Sequence, residues 1–329
     1  MTVDRRLVVW LALGVVYVVW GSTYLAIRVT VQQAPPLMSM GVRYAAAALV
    51  LGTVLALRGG PARLRLTARQ VLGTAFLGLM LPLLGNGVVA LSESHGEPSG
   101  VSALLVAIVP LMVVVYRLVE RDRPRVSTVV GVVLGFVGLA VLVFAGDNGP
   151  AHLPLGPSLL IVFAASCWAL GSYLQPRLWL PADPFTTTVY EMAFGGLMLL
   201  VLGAFTGEHF TAAYSPQTWL ALGYLVIFGS VVAFTAYVWL VANAPISFVS
   251  TYAYVNPVVA VFLGWLILGE PVTLAIGLGG GIVVLAVATV IASERPPRRK
   301  RHVCADPSGS PGSHDESALG TGARPDTSS

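Results

Sequence analysis

Charged residues are scarce in this chain of 329 residues: only 10% are Asp, Glu, Lys or Arg, whereas 56% are apolar. A soluble domain has roughly a quarter of its residues charged. This scarcity, together with a mean hydropathy of +0.81, excludes an ordinary soluble enzyme and predicts a polytopic membrane protein. The formal net charge of +4 comes from clustered arginines, and we predict no nucleic-acid partner.

The sequence also lacks the motifs of catalysis at membrane depth and of nucleotide binding. It contains no HExxH, no GxSxG and no Walker motif, and its five histidines are scattered over loops and the tail. Its two cysteines, Cys167 in an apolar segment and Cys304 in the tail, do not form a disulfide framework. We therefore predict no catalytic residues, no metal site and no cofactor.

Long apolar segments are what the chain has in abundance. Each is close to the ~20 residues that a helix needs to span ~30 Å of hydrocarbon. In chain order they are 7–28, 36–57, 70–91, 99–118, 126–145, 157–176, 184–205, 217–240, 245–268 and 272–293. We predict an all-α membrane protein with ten transmembrane helices.

The arginines predict the orientation of these helices. In a ten-helix chain the arginines of the loops and termini lie on one side, except Arg28 at the end of helix 1, whereas the opposite loops hold acids such as Glu93, Glu97 and Glu208. Because basic loops stay in the cytoplasm, we expect both termini there. Residues 294–329 are rich in Pro, Ser, Gly and charge, which predicts a disordered basic cytoplasmic tail.

The two halves of the chain repeat each other, which divides it into residues 1–148 and 149–293. The equivalent pairs are Trp20 and Trp168, Arg43 and Glu191, Pro98 and Pro245, Pro110 and Pro257, and the stretches Gly131-x-x-x-Gly135 and Gly277-x-x-x-Gly281. Five helices per unit is an odd number, so the second unit enters the membrane upside down. Secondary transporters are built on such inverted repeats, with the substrate site near the midplane between them.

Short motifs at equivalent places carry a family resemblance. They are Trp20-Gly21-Ser22-Thr23-Tyr24, Pro35-Pro36, Arg43-Tyr44, Ser99-Gly100-Val101-Ser102-Ala103-Leu104, Tyr254-Val255-Asn256-Pro257 and Leu268-Gly269-Glu270-Pro271. Together they resemble two copies of the EamA domain of the drug/metabolite transporter superfamily, over nearly all of residues 7–293. The stretch around Asn86 and Glu93 is similar to a bacterial inner-membrane subgroup. The second copy departs from the first by having Glu191 where the first has Arg43.

The resemblance implies a ten-helix basket whose central cavity is lined mainly by helices 1, 3, 4, 6, 8 and 9. Members of the family export metabolites, amino acids or drug-like compounds, usually without ATP. We therefore predict a secondary active exporter in the bacterial inner membrane that works by alternating access. Its expected partners are a small-molecule substrate, the lipid bilayer and possible coupling protons, with a homodimer left open. A facilitated uptake carrier, a channel-like permease and, further away, a membrane-embedded sensor or enzyme stay as alternatives.

Nine residues are candidates for binding the substrate. Aromatic walls with a few polar groups suit a mid-sized organic compound. Asn86 and Glu93 are seven residues apart and so project from nearly the same face of a helix, with Glu93 near the outer end, where its carboxylate can meet water. The candidates are Trp20, Tyr24, Asn86, Glu93, Trp168, Tyr173, Tyr237, Tyr252 and Asn256.

Four further residues are candidates for structural or coupling roles. Arg43 and Glu191 lie about seven residues into helices 2 and 7, at depths that differ by ~10 Å, which disfavours a direct ion pair. We expect Arg43 to anchor the repeat and Glu191 to be open to coupling. Pro110 and Pro257 are expected to interrupt helices near the midplane, where a freed carbonyl can line a cavity.

Overall fold

The computed structural model describes residues 5–121, 124–142, 154–244, 249 and 251–293, and within them every regular element is helical. The predicted tail, residues 294–329, lies outside the described residues. Each of the ten predicted apolar segments overlaps a helix. The helices are α1 (Arg5–Val31), α2 (Pro36–Gly59), α3 (Ala68–Ser94), α4 (Ser99–Val119), α5 (Val126–Ala140), α6 (Leu155–Arg177), α7 (Pro184–Phe205), α8 (Pro216–Leu240), α9 (Tyr252–Leu268) and α10 (Leu274–Ser293).

Eight of these helices are long and apolar enough to cross a membrane. The other two are apolar but shorter, since α5 has 15 residues and α9 has 17. The prediction of an all-helical, multi-span membrane protein is confirmed. The count of ten spans and the inverted arrangement of the two halves stay predictions.

Carboxylates from distant loops cap the first turns of two helices. Glu208, after α7, accepts hydrogen bonds from the backbone N–H groups of Leu37 at 3.3 Å and Met38 at 2.8 Å, at the start of α2. Glu270, after α9, accepts from the backbone N–H groups of Ser99 at 2.8 Å and Gly100 at 3.1 Å, at the start of α4. The first N–H groups of a helix have no partner within the helix, and a negative charge there is favourable. These caps tie helix starts in the first half to loops of the second.

The bundle has two ends of different chemistry. At the end that we call the arginine-rich end, an ion pair of 2.7 Å joins Arg63 to Asp183. Burial opposes ionisation of Asp183, but its hydrogen bonds with Arg63, Thr186 and the backbone of Phe185 prevail and lower its pKa. The acidic end is defined by the caps Glu208 and Glu270 together with Glu93 and Glu97.

Two helices contain π-helical segments at equivalent places in the two halves. In α3 the segment is Leu79–Gly87, and in α8 it is Leu225–Val232, so their first residues, 79 and 225, differ by 146. A π-helical turn is rare and often marks a functional site. The first half and the second half therefore share a local distortion as well as a hydropathy pattern.

The two candidate prolines behave differently. Pro110 follows a break between the helical segments Ser99–Val106 and Val109–Val119, so the predicted interruption is confirmed. The same prediction for Pro257 was wrong, because α9 runs through Pro257 without a break. Proline has no backbone N–H, so the carbonyl of Ala253, four residues earlier, loses its usual helical donor without ending the helix.

Close glycine contacts show how α2 and α7 pack. A Cβ atom built on Gly41 would lie 2.7 Å from Cγ of Leu200, and one built on Gly52 would lie 3.3 Å from Cγ1 of Val189. Positions early in α2 therefore face positions late in α7, and the two helices are antiparallel. Glycine is required at Gly41, since a side chain there would overlap its neighbour.

The two GxxxG stretches differ in packing. Gly131 and Gly138 of α5 approach α10 closely, at 2.8 Å from Val290 and 2.9 Å from Ile282 for a built Cβ, again in antiparallel order. In α10, a Cβ on Gly277 or Gly281 would meet no atom within 4 Å. The first stretch mediates helix packing, and its counterpart in the second half faces open space.

The largest helix contacts follow the repeat. Helices α2, α4 and α5 each pack on their own counterparts, α7, α9 and α10. The contact of α1 with α9 is matched by α6 with α4, that of α1 with α8 by α6 with α3, and that of α3 with α7 by α8 with α2. The packing is therefore pseudo-symmetric between residues 5–142 and 154–293.

Candidate functional site

A cavity of about 150 Å³ lies among helices of both halves. Its walls come from the six helices that the resemblance implied and also from α2 and α7. The lining residues are Trp20, Thr23, Tyr24, Arg43, Tyr44, Pro82, Asn86, Ala103, Val106, Ala107, Val109, Pro110, Trp168, Glu191, Met192, Gly229, Ser230, Phe234, Tyr252, Ala253, Asn256 and Pro257. Both π-helical segments contribute to the wall, through Asn86 in α3 and Gly229 in α8.

Most of the candidate residues meet at this cavity. Of the nine substrate-binding candidates, six line it, and so do all four structural or coupling candidates. These are Trp20, Tyr24, Asn86, Trp168, Tyr252 and Asn256, with Arg43, Pro110, Glu191 and Pro257. That any of them binds a substrate stays a prediction.

Aromatic rings form one side of the cavity around Trp20. Its ring centroid lies 5.2 Å from that of Tyr252 and 6.3 Å from that of Phe234, both edge-on. Its indole N–H donates to the carbonyl oxygen of Gly229 at 3.3 Å, within the π-helical segment of α8. Tyr237 packs behind this wall, 5.1 Å from Trp20, and does not line the cavity as expected. It supports the wall from behind.

Tyr173 lies away from the cavity, contrary to its candidate role. Its hydroxyl donates to Glu120 at 2.6 Å, and the same carboxylate forms an ion pair of 2.7 Å with Arg177. The Arg177 guanidinium also sits over the Tyr173 ring, 4.5 Å from its centroid. Arg177 and Glu120 are about half exposed. These three residues therefore form a surface cluster that joins the end of α4 to α6.

Glu93 is also absent from the cavity wall, and the expected contact of its carboxylate with water is wrong. The side chain is 0% exposed, and neither carboxyl oxygen has a hydrogen-bond partner within the described residues. Arg28 donates to the backbone carbonyl of Glu93. The buried hydroxyl of Ser102 lies close to this carboxyl group without a well-formed hydrogen bond to it. Burying a carboxyl group that has no hydrogen bond is energetically costly.

Arg43 is held rigidly at the cavity wall. It is 4% exposed, and its Nε donates to Ser230 Oγ at 3.0 Å. Its Nη1 lies 3.7 Å from the sulfur of Met40, and its Cζ lies 4.8 Å from the centroid of the Tyr44 ring. Within the described residues no carboxylate lies within 4.0 Å of this guanidinium. The cation is buried without a counter-charge in contact.

Glu191 lines the same cavity from α7 and is 6% exposed. The pairs 41 with 200 and 52 with 189 set the register of α2 against α7, so the backbone of Arg43 is level with that of Met198. Glu191 is seven residues from Met198, or ~10 Å along the axis. No hydrogen bond or ion pair joins Glu191 to another residue in the described part of the chain. The cavity thus has separated basic and acidic groups.

Glu97 forms a second buried polar contact near the acidic end, outside the membrane-spanning helices. Both of its carboxyl oxygens accept from Ser158 Oγ, at 3.0 and 3.1 Å. Burial raises the pKa of Glu97 to about 7, against the lowering effects of the Ser158 hydrogen bond and of Arg28. Thus the loop between α3 and α4 is pinned to the start of α6.

Sequence reasoning missed several wall residues. Tyr44 could have been found because it follows Arg43 in the motif. Thr23 belonged to another motif that the resemblance covered. Ser230 and Met192 carry no signal, because a small polar or apolar residue in an apolar segment is unremarkable until its neighbours are known.

Helices long enough to span a membrane, arranged around a cavity with aromatic and charged walls, define a polytopic membrane protein of the solute-transporter class. Comparison with known proteins agrees. The EamA-like transporter family matches residues 6–144 and again residues 156–292. The chain belongs to this family, and it is a membrane transporter and not an enzyme.

Its relatives include bacterial proteins that are named as transporters. The chain is 38% identical over 279 residues to the uncharacterized inner membrane transporter YedA of Escherichia coli (strain K12), covering 85% of this chain and 89% of that protein. It is 25% identical over 281 residues to the uncharacterized transporter YvbV of Bacillus subtilis (strain 168), covering 85% and 90%. A chain of known crystal structure matches with a TM-score of 0.59 and 17% identity, covering 89% of this chain and 99% of that one. That likeness shows the fold alone.

Proposed function

We propose that this protein is a secondary active transporter that exports a small organic compound across the bacterial inner membrane by alternating access. The observation that carries the proposal is the central cavity, which is built jointly by helices of both halves. A cavity at the junction of two repeats can open to either side when one unit rocks against the other. The name of the relative YedA supports an inner-membrane location.

The two halves act as inverted five-helix repeats with ten membrane spans. Three observations support this arrangement: the pseudo-symmetric helix contacts, the antiparallel packing of α2 on α7 and of α5 on α10, and the matched π-helical segments. Counterpart helices must run in opposite directions if the second unit is inverted. We extend this to α5 and α9, whose described lengths fall short of a full span.

Both termini face the cytoplasm. The contacts at the arginine-rich end support this orientation, because Arg63 and Asp183 come from two loops that a ten-span chain puts on one side. Arg177, at the end of α6, and Glu120, directly after α4, also form an ion pair and also lie on this side in a ten-span chain. Basic loops on one side favour the cytoplasmic position.

Proton coupling is assigned to the two buried acids. Glu191 faces the cavity directly, and Glu93 lies buried without a partner near the acidic end. Either carboxyl group can gain or lose a proton when the surrounding helices move and water reaches it. Replacing each by Gln in turn and measuring transport against pH tests this step, and an unchanged pH dependence in both variants would refute it.

Transport itself is tested by counterflow. Metabolites retained by cells with and without the protein are compared, and the compounds that differ are labelled. Purified protein in proteoliposomes is then expected to accumulate a labelled compound against an excess of the same unlabelled compound inside. A channel gives flux without such accumulation. No counterflow of any differing compound, by protein that is shown to be folded, would rule out a carrier.

Cavity variants link the counterflow to the site. Asn86→Leu removes a polar wall group. It is expected to reduce counterflow about tenfold, the effect of losing one hydrogen bond to the ligand. Leu278→Asn is the matched control, since Leu278 is 56% exposed on α10 and does not line the cavity. Equal loss in both variants would indicate a general effect on the fold.

A further inference from the structure

Arg43 has donors to spare inside the central cavity. A guanidinium group has five N–H donors. In the described residues Nε uses one on Ser230, and Nη1 has only the weak acceptor sulfur of Met40 at 3.7 Å. At least three N–H groups are therefore left for a ligand, and Arg43 lines the cavity in which a ligand would bind.

The orientation of these donors is fixed before any ligand arrives. The bond from Nε to Ser230 and the position of the guanidinium over the Tyr44 ring hold the plane of the group. A planar guanidinium with its outer edge free matches the two oxygens of a carboxylate with two parallel hydrogen bonds. A buried cation without a contacting counter-charge is unfavourable, so binding of an anion also removes that penalty.

The other walls limit what the anion can be. A cavity of about 150 Å³ is the size that admits a body like one aromatic ring. The aromatic side chains of Trp20, Trp168 and Tyr252 line it. Glu191 lies ~10 Å, measured along the axis of α7, from the level of Arg43. A negative group at the end of the ligand opposite its carboxylate would be repelled by Glu191.

We propose that Arg43 is the carboxylate-binding residue of the central cavity, and that the protein's ligand is a small organic monocarboxylate with a flat apolar body. A doubly charged phosphate ester fits less well, because one guanidinium balances a single negative charge. The inference rests on the proposed function only for the statement that the bound compound is also transported. Binding itself can be measured apart from transport.

The test compares three probes of equal size and different charge. Purified protein in lipid nanodiscs is titrated with benzoate, benzamide and benzylamine, and tryptophan fluorescence reports binding because Trp20 and Trp168 line the cavity. Benzoate is expected to bind about tenfold more tightly than benzamide, the gain of a charge-assisted over a neutral hydrogen bond. Equal affinity for both, tighter binding of benzylamine, or no binding of benzoate would overturn the proposal.

Variants show whether Arg43 causes the preference. Arg43→Gln is expected to abolish the benzoate preference, and Arg43→Lys to reduce it, since lysine keeps the charge but loses the two-pronged geometry. Arg69→Gln removes an arginine that stacks on Trp179 away from the cavity, and is expected to leave the preference unchanged. A full preference in a folded Arg43→Gln variant would overturn the assignment. If that variant does not fold, the comparison of probes on the unmodified protein and on Arg43→Lys decides.

The binding result and the transport result fail separately. Benzoate binding without counterflow of any compound would preserve the carboxylate site and refute the transporter. Counterflow of neutral or cationic compounds by a protein that ignores benzoate would preserve the transporter and refute the site.

Discussion

The first helix of each half ends with the same short pattern, and the two copies are used differently. The pattern Tyr-Leu-x-x-Arg begins at Tyr24 in α1 and at Tyr173 in α6. Tyr24 lines the cavity and Arg28 holds the backbone carbonyl of Glu93. Tyr173 and Arg177 instead bind Glu120 in a half-exposed cluster. By the offset of 148 between Trp20 and Trp168, the counterpart of Tyr24 is Ser172, so the second copy of the pattern is shifted by one residue. A shift of one residue turns a side chain by about 100° around a helix, so the second copy meets different neighbours.

The same difference separates Glu93 from its counterpart. Adding the offset of 147 seen for Pro110 and Pro257 to position 93 gives Leu240. Both are 0% exposed, but Leu240 packs in an apolar cluster with Leu13, Val16 and Val249, whereas Glu93 has an unpartnered carboxyl group. The second half has the residue that packing alone favours. The first half keeps a costly acid at this position, which is one reason why Glu93 is proposed for coupling beside Glu191.

Exchanging these two residues is expected to give the largest effects. Leu240→Glu inserts a carboxyl group into an apolar cluster and should lower the free energy of unfolding by about 3 kcal/mol, the insertion cost of a charge at membrane depth. Glu93→Leu removes an unpartnered polar group, so its stability should be unchanged or higher by about 1 kcal/mol. Thermal unfolding in detergent measures both. A clear loss of stability in Glu93→Leu would show that the carboxyl group has a structural partner.

The buried Glu97 predicts a pH dependence of stability. Its pKa is raised from 4.5 to about 7 in the folded protein, so the folded state keeps a proton that the unfolded state has lost between these values. The free energy of unfolding should therefore fall as the pH rises from about 4.5 to about 7. Glu97→Gln keeps an acceptor for Ser158 and should flatten this part of the profile. Identical profiles for the two proteins would refute the assignment.

The two GxxxG stretches predict opposite effects of one substitution. Gly131→Ala places a Cβ against Val290 and the Ala286 carbonyl and should cost about 1 to 3 kcal/mol through overpacking. Gly277→Ala meets open space and should gain up to about 1 kcal/mol, because alanine favours a helix over glycine. Unfolding curves of the two variants test the contrast. Equal losses would mean that α10 uses Gly277 for a contact absent from this structure.

The smallest effect is expected at the exposed ion pair. Arg177→Gln breaks a pair whose side chains are 49% and 48% exposed, so the loss of stability should be small because water screens the two charges. Arg28→Gln removes a charged donor from the Glu93 carbonyl in a part-buried setting and should cost about 1.5 to 3 kcal/mol. The comparison is made by thermal unfolding of both variants. A larger loss of stability in Arg177→Gln than in Arg28→Gln would contradict this order.

Much of the fold could be predicted because hydropathy sets helix length and the repeat sets which helices correspond. The facing of individual side chains could not, and the π-helical segment of α3 gives the reason. Asn86 lies inside that segment and Glu93 beyond it, so the 3.6-residue period that put them on one face does not hold between them. Asn86 lines the cavity and Glu93 does not.

Other misses have similar local causes. Tyr173 was expected at the cavity because it lies on α6, one of the helices that the resemblance places around it. Near the end of that helix its hydroxyl donates to Glu120 and its ring packs under Arg177 instead. Ser230 orients Arg43 through a contact between residues 187 positions apart, which no local pattern encodes. Such contacts follow from packing, which depends on the whole bundle.

The carboxylate caps have a consequence for biosynthesis. Glu270, which caps the first turn of α4, is synthesised 171 residues after Ser99. Glu208, which caps the first turn of α2, likewise follows Leu37 by 171 residues. At ordinary rates of translation the ribosome takes roughly 10 to 30 s to make that much chain. During that interval the first backbone N–H groups of α2 and α4 lack their carboxylate acceptors. A gene cut between the two halves should therefore yield a working protein only when both pieces are made in the same cell at the same time.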